Sequence, residues 1–309
     1  MPITRNDHYI IVNYHYVENP RPDFSGIFPC PVKEFERQVA QMSRNFKITT
    51  LEGVYEACAS HAPEKVAAIT FDDGLNDQYE NAVPLLKKYG APASFFIITS
   101  TLDGVVPSAH KIHVLLSRVP PDELVRTLNS FMESAHPDLA ARFHVPRDRR
   151  ISKRRMHEDI AVANFKETVS ALPIEIKNQY IARVFASMGI EESKLAQELF
   201  MDRARIASLH RDGFEIGNHS DSHDALTALG AAEIRHDVRE SQRKLHAIVG
   251  EAPVSFSYPF GLTSTASLEA LEEEKVKYAV TVDARALTHD DHRLLTPRFD
   301  TNDMRDGDL

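Results

Sequence analysis

The chain has 309 residues, with 45 acidic and 36 basic side chains and a formal net charge of -9 at pH 7. This acidic balance excludes the basic electrostatic footprint of a general nucleic-acid binder. Two cysteines are too few for a disulfide framework, and no run approaches the roughly 18 apolar residues that a membrane span needs.

The first 17 residues show no basic segment leading into an apolar core and a small-residue cleavage site, so no signal peptide is visible. We therefore expect a cytoplasmic protein. A hydrophobic content of 42% is enough for a substantial core, and the length suits a single barrel-sized domain over 1–309 with an insert. The oligomeric state stays open.

The first predicted strand is the β-branched apolar run at 9–12, and His15 follows it closely. A side chain at the end of this strand could reach a site. The alternative is that His15 is an imidazole packed in the core. Apolar residues then recur at helical spacing over 32–46, which predicts a helix outside the sheet.

A second apolar run, 67–71, ends in the adjacent carboxylates Asp72 and Asp73. Side chains alternate faces along an extended chain, so the two carboxylates cannot do the same job on the same side. One could bind a metal while the other accepts a proton. Alternatively, Asp-Asp-Gly is only a turn, because Asp and Gly are favoured there for backbone reasons.

Residues 82–89 follow a helical period that ends at Gly90, and 94–98 reads as the next strand. Strand, helix and strand make a βαβ unit. Parallel strands connected in this way place their carboxyl ends on one face, where Asp72 and Asp73 would lie.

Residues 101–200 read as an inserted helical subdomain in the loop after that strand, where barrel enzymes place residues that shape the pocket. Within it, 142–155 holds seven basic residues against one acidic residue. This run could bind phosphate or another anion. The alternative is a solvated loop, because charge runs usually face water.

The segment HSDSH, 219–223, follows a predicted strand at 214–217. If a helical turn forms there, His219 and His223 lie on one face. Two imidazoles and one carboxylate make a metal site with open positions, as catalytic zinc sites have. The same ligand set also occurs in non-haem iron oxygenases, so that class is an alternative.

The rest of the chain continues the alternation of helix and strand. A helix over 234–249 ends at Gly250, and strands are predicted at 254–256, 278–282 and 294–298. Alternation from end to end predicts an α/β fold.

Three motifs together resemble the polysaccharide deacetylase family, also called the NodB-homology domain or carbohydrate esterase family 4. They are TFDDG at 70–74, HSDSH at 219–223 and SYPFG at 257–261. The resemblance covers about 8–100 and 201–300. It implies a distorted (β/α) barrel of seven or eight strands, with the helical subdomain as an insertion.

The resemblance also implies roles for residues. Asp73, His219 and His223 would bind a divalent metal, with Zn2+ as first choice and Co2+, Ni2+ or Fe2+ as alternatives. Asp72 would be the general base. Tyr258 and Phe260 would offer ring faces to a sugar, and the Phe260 backbone N–H would help to hold the oxyanion.

Two departures from the family pattern bear on catalysis. Ser257 stands where the third motif often has an Arg that orients the catalytic Asp, and Arg298 is the candidate replacement unless it forms a structural ion pair elsewhere. The Leu-x-His of the fifth motif, which supplies the general acid, is missing. His15 is the first candidate for that role, followed by His292 and His289.

These points predict a metal-dependent amide hydrolase that removes an acetyl or formyl group from an N-acylated sugar in surface polysaccharide or lipopolysaccharide biosynthesis. The substrate would be a glycan intermediate, either free or linked to a nucleotide or lipid diphosphate. The two departures leave a second hypothesis: a metal-containing glycan-binding protein with little or no turnover.

Overall fold

The structure is a computed structural model that describes residues 3–4, 6–152, 156 and 158–301. It divides into two compact units. The larger unit comprises Met1–Asn19, Pro29–Val105 and Glu192–Leu309, and the smaller comprises Pro20–Phe28 and Val106–Glu191. The smaller unit overlaps the predicted insertion at 101–200, but it starts later, ends earlier and includes a segment that precedes the first helix.

The strands all lie in the larger unit: β1 (Tyr9–Tyr14), β2 (Lys47–Ile48), β3 (Val66–Phe71), β4 (Ser94–Ile97), β5 (Glu215–Asn218), β6 (Ser255–Ser257), β7 (Tyr278–Val280) and β8 (Phe299–Asp300). The helices of the same unit are α1 (Val32–Asn45), α2 (Leu51–Ala59) and α3 (Val83–Tyr89), then, beyond the smaller unit, α9 (Glu192–Leu199), α10 (Arg203–Arg211), α11 (Ala231–Val249) and α12 (Thr265–Glu273). The smaller unit contains α4 (Ser108–Arg118), α5 (Pro121–Ala135), α6 (Pro137–Ala140), α7 (Ile160–Ala171) and α8 (Ile174–Ser187).

The strands form one parallel sheet in the order β7-β6-β5-β4-β3-β1-β8, with β2 paired to β3. A parallel bridge between Val280 and Thr296 joins β7 to the segment that leads into β8. The two edges of the sheet are therefore connected, and the predicted α/β class with a distorted barrel is confirmed. The last strand lies slightly later than the predicted 294–298.

The alternation of side chains along β3 explains where the core and the site lie. Ile69 and Phe71 pack in a core cluster with residues of α1 and α3, while Ala68 packs with α2 on the other face. Thr70 lies on the same face as Ala68, because side chains two residues apart share a face. Asp72 continues that face, so the interior of the barrel receives its carboxylate.

Proline starts several helices of the smaller unit. It is the first residue of α5 and α6, and it caps α4 and α8. Proline is tolerated there because the first turn of a helix does not use its N–H groups.

The smaller unit also contains a buried ion pair: Lys166 Nζ lies 2.9 Å from Glu158 Oε1, and both side chains are buried.

The basic run at 142–155 also belongs to the smaller unit. The Arg147 guanidinium donates to a backbone carbonyl at the start of α5 at 2.8 Å, and Arg150 donates to the carbonyl of Glu158 at 2.5 Å. Residues 153–155 of the run lie outside the described residues. Anion binding by this run stays a prediction.

Among the described residues, no helix has both the length and the apolar character needed to cross a membrane.

Candidate active site

Asp72 lies at the carboxyl end of β3 and accepts hydrogen bonds from three side chains. Arg298 binds it through two parallel bonds, Nη1 to Oδ1 at 2.9 Å and Nη2 to Oδ2 at 2.8 Å. The Asn13 amide and the Ser257 hydroxyl each donate to Oδ2 at 3.1 Å. The structure therefore brings Arg298 to Asp72, and Ser257 completes the contact from the position where the family often has an arginine.

Arg298 is itself held on several sides. Its Nε donates to the Thr281 carbonyl at 3.0 Å, and its Nη1 donates to Asn13 Oδ1 at 2.9 Å. The guanidinium carbon lies 5.9 Å from the centre of the Phe96 ring, and only 2% of the residue is exposed. A planar guanidinium with its donors fixed in this way orients a carboxylate more tightly than a flexible lysine would.

The charge of Asp72 follows from these contacts. Burial alone would raise the pKa of its carboxyl, but the positive charge of Arg298, with a smaller contribution from His219, holds that pKa well below its ordinary value. Asp72 is therefore ionised at neutral pH.

Asp73, His219 and His223 form a second, adjacent cluster. All three residues are buried, and one potential ligand atom from each lies within 4.8 Å of the other two. Both imidazole Nε2 atoms are 3.4 Å from Asp73 Oδ1. These residues follow the carboxyl ends of β3 and β5, the two strands on either side of β4, whereas Asp72 faces Arg298. The structure thus separates the two aspartates as alternation along the chain predicts.

A hydrogen bond on the far side of His219 shows that the cluster fits a divalent cation. His219 Nδ1 lies 2.7 Å from the Ser257 carbonyl oxygen, which can only accept, so Nδ1 carries a proton and donates. When the ring is neutral, its Nε2 lone pair faces Asp73 Oδ1, and a cation between these two acceptors would stabilise the arrangement. A carbonyl that fixes the tautomer in this way is the usual support of a metal-bound histidine.

The charges around His219 also favour a positive charge at this position. Burial would lower the pKa of its imidazole, but the carboxylates of Asp72 and Asp73, together with the Ser257 carbonyl, raise that pKa above its ordinary value. Positive charge is therefore favoured at this position.

The helical turn considered for 219–223 does not form. Ser220 and His223 have positive φ, 65° and 58°, and no helix forms. Side chains accept the N–H groups that helical bonds would otherwise use: Asn218 binds the N–H of Ser220, and the Ser220 hydroxyl binds that of His223. Such local acceptors compete with helix formation, and the two histidines meet through a loop instead.

His15 lies beside Asp72 as its position after β1 suggested. Its Nε2 is 4.0 Å from Asp72 Oδ2, and its Nδ1 is 3.8 Å from Asp300 Oδ2. The side chain is 42% exposed, so a substrate can reach it.

The two other histidine candidates lie at the opposite end of the barrel, so their candidacy as general acids is wrong. The His289 ring is 5.2 Å from that of His61, which precedes β3. The loop that contains His289 and His292 follows Leu287, whose N–H donates to the carbonyl of Tyr9 at the start of β1. Sequence could not show this, because a loop gives no signal of the barrel end on which it lies.

The two aromatic residues of SYPFG differ in exposure. Tyr258 is 1% exposed and packs edge-on against Phe256, so its predicted role as a stacking surface for sugar is wrong. Tyr258 is instead part of the core between α11 and α12. Phe260 is 48% exposed, and its ring centre is 5.1 Å from that of His223. Of these two residues, only Phe260 can present a ring face beside the cluster.

Sequence reasoning missed the residues that support the site. Asn13 bridges Asp72 and Arg298, and Asp237 of α11 accepts the N–H groups of Asp221 and Ser222. The signal for Asn13 was a polar residue in an otherwise apolar strand. No sequence signal distinguishes Asp237 from an acidic residue on the exposed face of a helix.

Comparison with known proteins shows the family of this chain. The model of a family described as polysaccharide deacetylase matches residues 59–130 and 168–279, more than half of the chain. A 145-residue stretch is 30% identical to the poly-beta-1,6-N-acetyl-D-glucosamine N-deacetylase of Staphylococcus epidermidis, covering 43% of this chain and 49% of that protein. The chain spans less than half the length of the curated relatives it matches.

Solved structures share the fold at low sequence identity. The Streptococcus pyogenes deacetylase PplD, solved in complex with acetate, aligns with a TM-score of 0.60 at 16% identity over 97% of this chain and 93% of that one. IcaB from Ammonifex degensii aligns with a TM-score of 0.56, also at 16% identity, over 95% of this chain and 91% of that one. Motifs, fold and family model agree: this chain belongs to the polysaccharide deacetylase family.

Proposed function

We propose that this protein is a metal-dependent N-deacetylase that hydrolyses the acetamido group of an N-acetylated glycan. One observation carries the proposal: a buried Asp-His-His cluster lies next to a separate aspartate that a buried arginine keeps ionised. The name of the Staphylococcus epidermidis relative supports the choice of an N-acetylated sugar polymer as substrate.

Asp73, His219 and His223 would hold the ion. Three protein ligands leave coordination positions open, as catalytic sites require. A divalent ion bound there lowers the pKa of water and polarises a carbonyl oxygen. Zn2+ is our first choice because two imidazoles and a carboxylate suit it, and Co2+, Ni2+ and Fe2+ accept the same ligands.

Asp72 would act as the general base. Addition of water to the acetamido carbonyl requires loss of a proton, and an ionised carboxylate beside the cluster can accept it. Arg298, Asn13 and Ser257 hold this carboxylate in place, so little reorientation is needed at the moment of reaction.

His15 would act as the general acid. Cleavage of the C–N bond releases acetate and leaves an amine nitrogen that needs a proton. His15 is accessible and lies 4.0 Å from Asp72, so it is near the position where this proton is required. The Phe260 backbone N–H would stabilise the negative charge that develops on the carbonyl oxygen, a contribution of about 3 kcal/mol in hydrolases.

An apolar ridge beside the cluster would contact the sugar. It consists of Phe260, Leu262 and Val282, which are 48%, 48% and 57% exposed. The three are adjacent, since an added Cβ on Gly261 would come within 2.4 Å of Val282 Cγ2. The apolar face of a pyranose ring could pack on this ridge while its acetamido group points towards Asp72.

Acetate release from β-1,6-linked N-acetylglucosamine oligomers tests the proposal. We expect release with the metal-loaded protein, loss after chelation and recovery when Zn2+ is added. A matched panel of N-formyl sugars and of N-acetyl sugars linked to a nucleotide or lipid diphosphate identifies the acyl group and the carrier. Metal binding without release from any member of the panel would overturn the enzyme proposal in favour of a glycan-binding protein. A cytoplasmic location and a role in lipopolysaccharide assembly stay predictions.

A further inference from the structure

The loop that carries the two histidines is fastened to helix α11 by a buried carboxylate. Asp237 Oδ1 accepts the N–H of Asp221 at 2.9 Å, and its Oδ2 accepts the N–H of Ser222 at 2.9 Å. Asp237 is 7% exposed. Both of its oxygens are therefore directed to the backbone between His219 and His223.

This loop needs an external acceptor. Its left-handed residues, Ser220 and His223, prevent the helical bonds that would satisfy the intervening N–H groups. The bonds from the Asp221 and Ser222 N–H groups to Asp237 are part-buried, and a fully buried N–H without an acceptor costs about 1–3 kcal/mol. Loss of these bonds would therefore destabilise this conformation of the loop. That conformation sets the distance between the two imidazoles.

A second residue of α11 supports the same loop. Lys244 Nζ donates to Asp221 Oδ1 at 2.7 Å and to Asp103 Oδ2 at 2.5 Å, and the lysine is 8% exposed. The Thr99 hydroxyl donates to the same Asp221 oxygen at 2.5 Å. The side chain of Asp221 is thus anchored while Asp237 holds its backbone.

We propose that Asp237 is a positioning residue for the metal centre, fixing His219 and His223 at the separation that the ion requires, with Lys244 in a weaker supporting role. This inference rests on the metal site of the proposed function. It goes further by assigning part of the metal affinity to a helix that supplies no ligand.

The near-isosteric change Asp237→Asn is the sharpest test. The amide keeps one acceptor, but its NH2 group would face a backbone N–H, so one of the two bonds is lost and replaced by an opposition of donors. Ser241→Ala is the matched control. Ser241 is buried one turn further along α11, and its hydroxyl donates to the Val238 carbonyl within the helix rather than to the loop.

The measurement is the Zn2+ dissociation constant by competition with a chromophoric chelator, together with thermal unfolding of the metal-free proteins. We expect Asp237→Asn to weaken Zn2+ binding about 10- to 100-fold, the range for outer partners of metal ligands. Lys244→Met should weaken it less, and Ser241→Ala should leave it unchanged. If Asp237→Asn does not fold, Asp237→Ser, which keeps one hydroxyl acceptor, takes its place with the same expectation.

Three distinguishable outcomes would overturn the inference. Zn2+ affinity of the Asp237 variant within twofold of the unsubstituted protein would show that the loop holds its shape without this carboxylate. An equal loss in Ser241→Ala would show a general effect of destabilising α11. Failure of the unsubstituted protein to bind Zn2+ would instead remove the metal site itself, and the inference with it. Acetate release is not needed for any of these comparisons.

Discussion

The two ends of the barrel differ in where non-glycine residues adopt a positive φ. Among the described residues, six non-glycine residues have positive φ, and four of them lie at the carboxyl ends of the strands: Asp73, Ser220, His223 and Phe260. The other two, His61 and Lys275, each stand two residues after a helix, α2 or α12, on the way to a strand. Left-handed residues are common where a helix ends, so these two need no further explanation.

The strained residues at the carboxyl end have no such local reason. A non-glycine residue with positive φ costs about 1–3 kcal/mol and persists only where its surroundings hold it. Asp73 and His223 contribute to the metal cluster, Ser220 binds the N–H of His223, and Phe260 presents its ring beside it. The comparison indicates that backbone strain at this end is used to place functional groups.

Two carboxylates, one at each end of the barrel, show the same contrast. Glu215 starts β5 at the amino end and accepts hydrogen bonds from the hydroxyls of Ser94 and Ser255, both at 2.6 Å. Asp72 at the carboxyl end is bound by a guanidinium. Neutral donors are sufficient where a carboxylate only joins strands, whereas a positively charged partner keeps Asp72 ionised.

The largest expected effect is that of Asp72→Asn on turnover. The amide has nearly the shape of the carboxylate but cannot accept a proton from water, so we expect kcat for acetate release to fall about 10²- to 10⁴-fold. Elemental analysis should show unchanged metal content. Glu215→Gln, at the other end, should keep its activity. Loss of metal together with activity in Asp72→Asn would mean that the two aspartates have exchanged roles.

The next effect is that of Arg298→Met on stability. Removal of one partner from a buried ion pair leaves an uncompensated charge, which costs about 3–5 kcal/mol, and urea unfolding would measure it. Because the pKa of Asp72 is depressed in the folded protein, its stabilisation is complete above the ordinary pKa of about 3.9 and is lost as the pH falls below it. The difference between the two proteins should therefore shrink in acid. A pH-independent difference would contradict the assigned pair.

A smaller effect is expected for the apolar ridge. Phe260→Ala should lower kcat/KM by about fivefold, which corresponds to about 1 kcal/mol for a half-exposed ring that a sugar covers. Val254, which is 39% exposed and precedes β6 at the amino end of the barrel, provides the control Val254→Ala. Equal responses of the two variants would remove the ridge from the substrate site.

The smallest effect is expected at Lys275. Glycine removes the steric cost of positive φ there but adds chain entropy to the unfolded state, so Lys275→Gly should stabilise the fold by about 0.5–1 kcal/mol. Thermal unfolding would measure this, and kcat/KM should not change. A loss of activity in Lys275→Gly would show that the two ends are not functionally distinct.

Much of the metal cluster could be predicted from sequence because its residues lie in two short motifs. Asp72 and Asp73 follow a strand directly, and alternation assigns them different neighbours. Arg298 could be proposed as the partner of Asp72, but the sequence could not show that the two meet. Their contact spans 226 positions and depends on closure of the sheet. Asn13 and Asp237 were missed because their roles exist only once distant segments meet.

The wrong predictions have local physical causes. The spacing of two histidines suggests a helical turn, but Asn218, Ser220 and Asp237 offer acceptors that stabilise a loop instead. Tyr258 belongs to a motif in which Phe260 reaches the surface, yet Tyr258 directly follows β6 and packs with Phe256 in the core. Short motifs identify the chemistry of a residue more readily than its exposure.

Anomalous diffraction at the zinc edge, from crystals of the protein grown with Zn2+, tests whether Asp73, His219 and His223 hold the metal while Asp72 does not. We expect one strong peak about 2.0–2.2 Å from Asp73 Oδ1, His219 Nε2 and His223 Nε2, with Asp72 still bound to Arg298 and outside the coordination shell. A peak coordinated by Asp72, or no peak at this cluster in zinc-loaded crystals, would contradict it.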